Sequence, residues 1–229
     1  MPQFKGYPRS ALTFLRQLDK NNNRDWFGDN KHRYESEVLE PSLDFIATMQ
    51  PHLHKISDHF DAIPKRSGGS LMRVYRDTRF SKDKTPYKTN IGIQFRHQLG
   101  KDVHAPGFYM HIDPSECFVG IGLWRPDGPS VRKIREAIVE RRADWRKITR
   151  AKKFRDTFEL GGDSLIRPPK GFDADDPDLQ DLKRKDFVCV TNFDKAAVTS
   201  EHFVKDIAAT FRASKAFMAF LCKAVEVPF

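Results

Sequence analysis

Apolar positions change their period twice along this chain. From Ser10 to Leu18, and again from Asp25 to Met49, they recur every three or four residues. Between Thr89 and Trp124 they alternate, and from Ser130 onward the longer spacing returns. A three-to-four spacing puts side chains on one stripe of a helix, whereas strict alternation puts them on one face of a strand. The pattern therefore predicts helices, then a sheet, then helices.

The first helix is expected to be capped by Ser10, with Leu12, Leu15 and Leu18 facing inward. Asn21, Asn22 and Asn23 form turn sequence, because Asn tolerates the left-handed region and bonds its own backbone. A second helix starts near Asp25, with Phe27, Tyr34, Val38, Phe45 and Met49 on its stripe, and Pro41 predicts a kink or a break near Glu40. Residues 51–70 read as a loop. Residues 71–76, Thr89–Arg96, Gly107–Ile112 and Cys117–Trp124 read as strands of an antiparallel meander. After Pro126 a helical stripe runs through Val131, Ile134, Ile138, Trp145 and Ile148. Residues 161–178 read as a loop, and Asp186–Val190 as a further strand. Thr199 or Ser200 would cap a long C-terminal helix carrying Val204 through Val225. The expected fold class is α+β: a single domain over residues 1–229, its antiparallel meander covered mainly on one face by helices.

Alternation also sorts the two faces of that sheet. If Ile91, Ile93, Phe95, Phe108, Met110, Ile112, Val119, Ile121 and Leu123 face the helices, the residues between them face away. That second face carries Asn90, Gly92, Gln94, Tyr109, His111, Phe118, Gly120, Gly122 and Trp124. Taking Met72 and Val74 as core adds Arg73 and Tyr75 to it. Glycine inside a strand marks a bulge or the close approach of a ligand or another backbone. The glycine floor thus fits either a flat or phosphorylated ligand, or a loop or helix packed into the notch.

Charge sharpens the picture in two places. The net charge is +9, which permits nucleic acid or an acidic ligand as a partner without requiring either. The run from Arg73 to Lys88 holds six cations (Arg73, Arg76, Arg79, Lys82, Lys84, Lys88) against Asp77 and Asp83. It has no glycines to wrap a phosphate by backbone N–H groups, so an anion there would be held by side chains. Residues 130–155 carry eleven Lys/Arg and three Asp/Glu, which is either a solvated helix surface or a non-specific contact to nucleic-acid phosphates. Strict alternation aims Arg76 at the core, where it would need a bulge or a partner such as Asp77.

Other chemistry is sparse. Cys117, Cys189 and Cys222 are odd in number and widely spaced, which argues against both a disulfide framework and a zinc knuckle and reads as three buried thiols. The first residues hold no apolar signal segment and no run is long enough to span a membrane, so the chain reads as cytoplasmic with no membrane partner. His52, His54, His59 and Asp61 lack the spacing of a metal site, and neither a metal nor a cofactor is expected. No nucleophile, dinucleotide or zinc-protease motif is present. His111, Tyr87 and Asp77 are the candidate proton-handling groups, and whether the protein is an enzyme is open. The ligand-binding candidates are Arg73, Tyr75, Arg76, Arg79, Lys82, Lys84, Lys88, Tyr109 and Trp124.

Several segments together resemble one family. They are Asn22–Phe27 with Lys31 and Tyr34, Arg76–Lys88, Gly107–His111, Val119–Pro126, Pro169–Asp173 and Asp181–Phe187. In this order they resemble the bacterial and fungal family catalogued as domain of unknown function two-four-six-one, over nearly the whole chain. The resemblance implies a single cytoplasmic domain and supplies no activity, cofactor or catalytic residue. Where that family often has His-Pro, this chain has Asp176 and Pro177, which argues against a catalytic group at that place. The combined expectation is a pocket for an anionic or phosphorylated small molecule. A nucleic-acid-binding module through residues 130–155 and a structural or partner-binding protein are the alternatives.

Overall fold

Three of the alternating segments pair as neighbouring strands in the computed structural model, which describes residues 4–100 and 106–229. Met1, Pro2 and Gln3, the start of the segment read above for a signal, lie outside the described residues. The strands are β1 (Phe60–Asp61), β2 (Ile91–His97), β3 (Gly107–Ile112), β4 (Cys117–Leu123), β5 (Glu159–Gly161) and β6 (Phe187–Asn192). They form one antiparallel sheet in the order β1-β2-β3-β4-β6-β5. The register places Gln94 beside Tyr109, Tyr109 beside Gly120, and Gly120 beside Val190. One step along, Gly107 pairs with Gly122, and Val188 lies between Gly122 and Gly161.

The helices are α1 (Arg9–Lys20), α2 (Arg24–Asp29), α3 (Lys31–Arg33), α4 (Glu40–His54), α5 (Gly128–Glu140), α6 (Arg142–Thr149), α7 (Lys152–Thr157), α8 (Leu179–Leu182), α9 (Phe203–Ala213) and α10 (Lys215–Ala224). The apolar face of the sheet packs on them. Phe211 of α9 lies 4.8 Å from Phe108 and 5.9 Å from Phe95, ring centre to ring centre. Phe95, Phe108, Met110, Val119 and Ile121 have no exposed surface. Each such Phe contributes about 1.5–3 kcal/mol through removal of apolar area from water. The fold is α+β with an antiparallel sheet, as the periodicity predicted.

The departures have local causes. Segment 71–76 is no strand: only Leu71 and Tyr75 make isolated bridges, to Ile93 and Tyr87. Leu71 is buried, while Met72 turns to the open face and covers Gly92. Pro41 makes no break. A π-helical turn at Tyr34–Leu39 precedes it, and Pro41 falls in the first turn of α4, where a missing N–H costs little. The expected loop after residue 50 is shorter, since α4 runs to His54. The first helix starts at Arg9 behind Pro8, so Ser10 is not its cap. The long C-terminal helix is two. Buried Ser214 separates them, its hydroxyl donating to the Phe211 carbonyl at 2.8 Å, a local bond that competes with the helical ladder. No helix among the described residues is long and apolar enough to cross a membrane.

Candidate functional site

The face of the sheet opposite the helices bears a cavity of about 480 Å³. Its floor exists because Gly107, Gly120 and Gly122 carry no side chains. Above Gly120 there is open space: a Cβ placed there would meet nothing within 4 Å. Gly122 has φ +127, and a Cβ on it would collide with the Phe187 carbonyl at 2.1 Å, so this position requires glycine. Gly92 lies outside the floor, roofed by Met72 and Tyr109. Tyr109, Phe118 and Trp124 form the aromatic walls; Met72, Val188 and Val190 form the aliphatic ones. Strand alternation placed Gln94, Tyr109, Phe118, Gly120, Gly122 and Trp124 here. It missed Met72, Gly107 and Gly162. Val188 and Val190 were readable in parity with one another, but not their place beside β4.

Polar groups are few and grouped on one side. The Tyr109 hydroxyl lies 3.0 Å from His111 Nδ1, and the Asn90 amide nitrogen 3.4 Å from the same atom. Both groups can donate to Nδ1, an arrangement that matches the tautomer with its ring proton on Nε2. Burial lowers the pKa of His111, which keeps the ring neutral, and burial pushes that of Tyr109 up to about 12, which keeps its hydroxyl a donor. The His111 ring stacks on Phe118 at 4.8 Å, behind the wall. Gln94 adds an amide to the cavity. Such a set offers hydrogen-bond donors and acceptors on one side of an otherwise apolar lining.

None of the cations of the Arg73–Lys88 run lines this cavity. Arg76 reaches Asp83 and the Thr85 hydroxyl, not Asp77. Arg79 pairs with Asp77 at 2.7 Å on the surface, and its hydrogen bonds hold the exposed Asp77 carboxyl at a pKa of about 2. Lys84 donates to the Thr78 carbonyl, while Arg73 and Lys82 are exposed. Lys88 is half-buried, and burial followed by the nearby Arg73 charge lowers its pKa. Tyr75 packs on Tyr87 and Phe27 rather than on the sheet face. Tyr87 stacks on Phe27 at 4.0 Å, and its backbone N–H and carbonyl both bond the Asn22 side chain, at 3.0 and 2.9 Å. Of the predicted site residues, the cavity gathers Tyr109 and Trp124, with His111 behind them.

The basic segment 130–155 is also largely satisfied from within. Arg142, Arg146 and Arg150 converge on the fully buried Asp178 carboxylate at 2.6–2.8 Å, and Arg142 also pairs with Asp176. Arg132 pairs with Glu136, Lys133 with Glu226 and Lys152 with Asp156. The guanidinium of Arg141 lies over the Phe220 ring. Among the described residues no group of three His, Cys, Asp or Glu side chains is arranged to hold a metal.

A family model described as conserved hypothetical protein (DUF2461) matches residues 10–220. The chain belongs to this family. No curated protein and no solved structure matches it. Four of the six segments that carry the DUF2461 resemblance fall into two physical groups. Asn22, Phe27, Tyr34 and Tyr87 build the joint that ties the cationic loop to α2. Gly107, Tyr109, His111, Gly120, Gly122 and Trp124 build the cavity floor and walls, or stand directly behind them.

Proposed function

We propose that this DUF2461 protein binds a flat, largely apolar small molecule in the open-face cavity. The supporting observation is the bare backbone at Gly120, flanked by Tyr109, Phe118 and Trp124. It leaves a slot within the roughly 300–1,000 Å³ range of ligand pockets. Rings stack on aromatic walls, and the Tyr109 hydroxyl and Gln94 amide orient the polar end of the guest. The Arg73–Lys88 cations, expected from the sequence to hold an anion, serve in this reading to brace their own loop.

The neutral fluorophore phenylnaphthylamine tests the slot. It should bind the native protein saturably. Gly120→Leu fills the floor without a backbone penalty, because Gly120 has ordinary strand φ, and should weaken binding at least about tenfold with Tm unchanged or raised. Equal binding by the native protein and a folded Gly120→Leu variant would refute the cavity as the site.

A further inference from the structure

A second cavity, a cleft of about 490 Å³, lies beside the first. Trp124 and Gly162 line the apolar slot, and Arg125 and Asp163, next in the chain, line the cleft. Three cations reach the cleft from three places: Arg125 from the turn after β4, Arg135 from α5, and Lys185 from the residues before β6. No hydrogen bond or ion pair joins the Arg125 guanidinium or the Lys185 ammonium to another described residue. The Arg135 side chain donates one bond, to the Arg184 carbonyl at 3.0 Å, while its buried Nε has no partner. A buried donor without an acceptor is costly, and it leaves the outer guanidinium nitrogens as the part of Arg135 that can meet a guest.

The backbone around the cleft adopts uncommon conformations at two places. Arg125 has φ +50, a left-handed conformation rare outside glycine and Asn. Buried Asp186 keeps it there, accepting from the Arg125 N–H at 2.6 Å and from the Asp163 N–H at 2.8 Å. Gly162, with φ +89, lets its turn approach within reach, since a Cβ there would strike Asp186. The result aims the Arg125 guanidinium back over Trp124 at 4.9 Å, on the rim between slot and cleft. Strain of this kind gathers at ligand sites. Two acids also line the cleft, so three cations face two carboxylates there, and the Asp186 oxygens are already taken up by the backbone N–H groups of Arg125 and Asp163.

We infer that the ligand is an amphiphile: a flat apolar body in the slot and an oxyanionic head, carboxylate or phosphate, in the cleft, held by Arg125, Arg135 and Lys185. This rests on the slot being the binding site and adds the chemical class of its guest. Guanidinium groups suit planar and tetrahedral oxyanions alike through paired N–H donors. The anion expected from the sequence thus moves from the Arg73–Lys88 loop to a different set of cations.

The test compares anilinonaphthalene sulfonate with the neutral phenylnaphthylamine, which shares its rings and lacks the charge. Native protein should bind the sulfonate more tightly, and added salt should weaken only that binding. The double variant Arg125→Gln/Lys185→Gln alters two exposed side chains, so it should fold. It should lose about tenfold in sulfonate affinity and nothing for the neutral probe. Arg135→Gln should act in the same direction. Naphthoate or naphthyl phosphate should displace the sulfonate where naphthalene does not, and the tighter of the two identifies the head. Equal affinity of the double variant and the native protein for the sulfonate, with the neutral probe still bound, overturns the anionic head and leaves the slot standing. Failure of the neutral probe to bind native protein sinks the slot itself, and the inference with it.

Discussion

Asn22 shows how much one side chain can decide. Its amide oxygen accepts from the Tyr87 N–H and its amide nitrogen donates to the Tyr87 carbonyl, so a single residue reproduces a strand pairing across 65 positions. Phe27 then stacks on the Tyr87 ring it has brought close. Asn22→Ala removes both bonds and leaves two part-buried backbone groups unpaired, so urea denaturation should show a loss of about 1–3 kcal/mol. Asn22→Asp keeps the acceptor but sets a negative charge against the Tyr87 carbonyl, and should be no better than alanine. The turn at Asn21–Asn23 was legible from residue chemistry. The partner of Asn22 was not, because nothing local marks a backbone group 65 residues away.

At the scale of elements, α6 and the acidic segment ahead of α8 form one electrostatic unit. Sequence shows the opposite charges of residues 130–155 and 173–181 but not that they meet. The meeting depends on α6 placing Arg142 and Arg146 at helical spacing toward Asp178, while Trp145 between them donates its indole N–H to Asp181 at 2.8 Å. The Arg142 bond holds the Asp176 pKa at about 2. For Asp178, burial works to raise the pKa, and the Arg146 and Arg142 bonds outweigh it and lower it. Carboxyls depressed in the folded state stabilise it above their ordinary 3.8, and the contribution drains away as pH falls below that, for Asp176 toward about 2. Stability measured between those values should therefore drop steeply in the native protein and more gently in Asp178→Asn. At neutral pH that variant should lose about 3 kcal/mol, the low end for breaking a buried pair because the arginines still reach water. A flat profile in the native protein, or a steep one in the variant, would contradict this unit. The split of the C-terminal helix belongs to the same scale. The apolar stripe from Val204 to Val225 runs on through Ser214, so periodicity reads one helix where a local hydroxyl bond makes two.

For the whole molecule, the sheet separates a sealed apolar face under the helices from an open face with a slot. Trp124 stands at the edge of that slot and is half exposed, while Trp145 is fully buried. Filling the slot with phenylnaphthylamine should reduce acrylamide quenching of tryptophan fluorescence, and Trp124→Phe should remove that change. An undiminished effect in Trp124→Phe would place the ligand elsewhere. What the sequence by itself determined is which residues share a face of β2, β3 and β4, and that glycines interrupt one of those faces. Alternation follows from backbone geometry at each residue, so it survives without knowledge of neighbours. Only the tertiary structure decided that β6 lies beside β4 and brings Val188 and Val190 to the slot. It alone settled that the Arg73–Lys88 loop turns to α2, and that Arg125, Arg135 and Lys185 gather instead. Those outcomes rest on contacts between distant segments, where total packing chooses the partner and no local pattern encodes it.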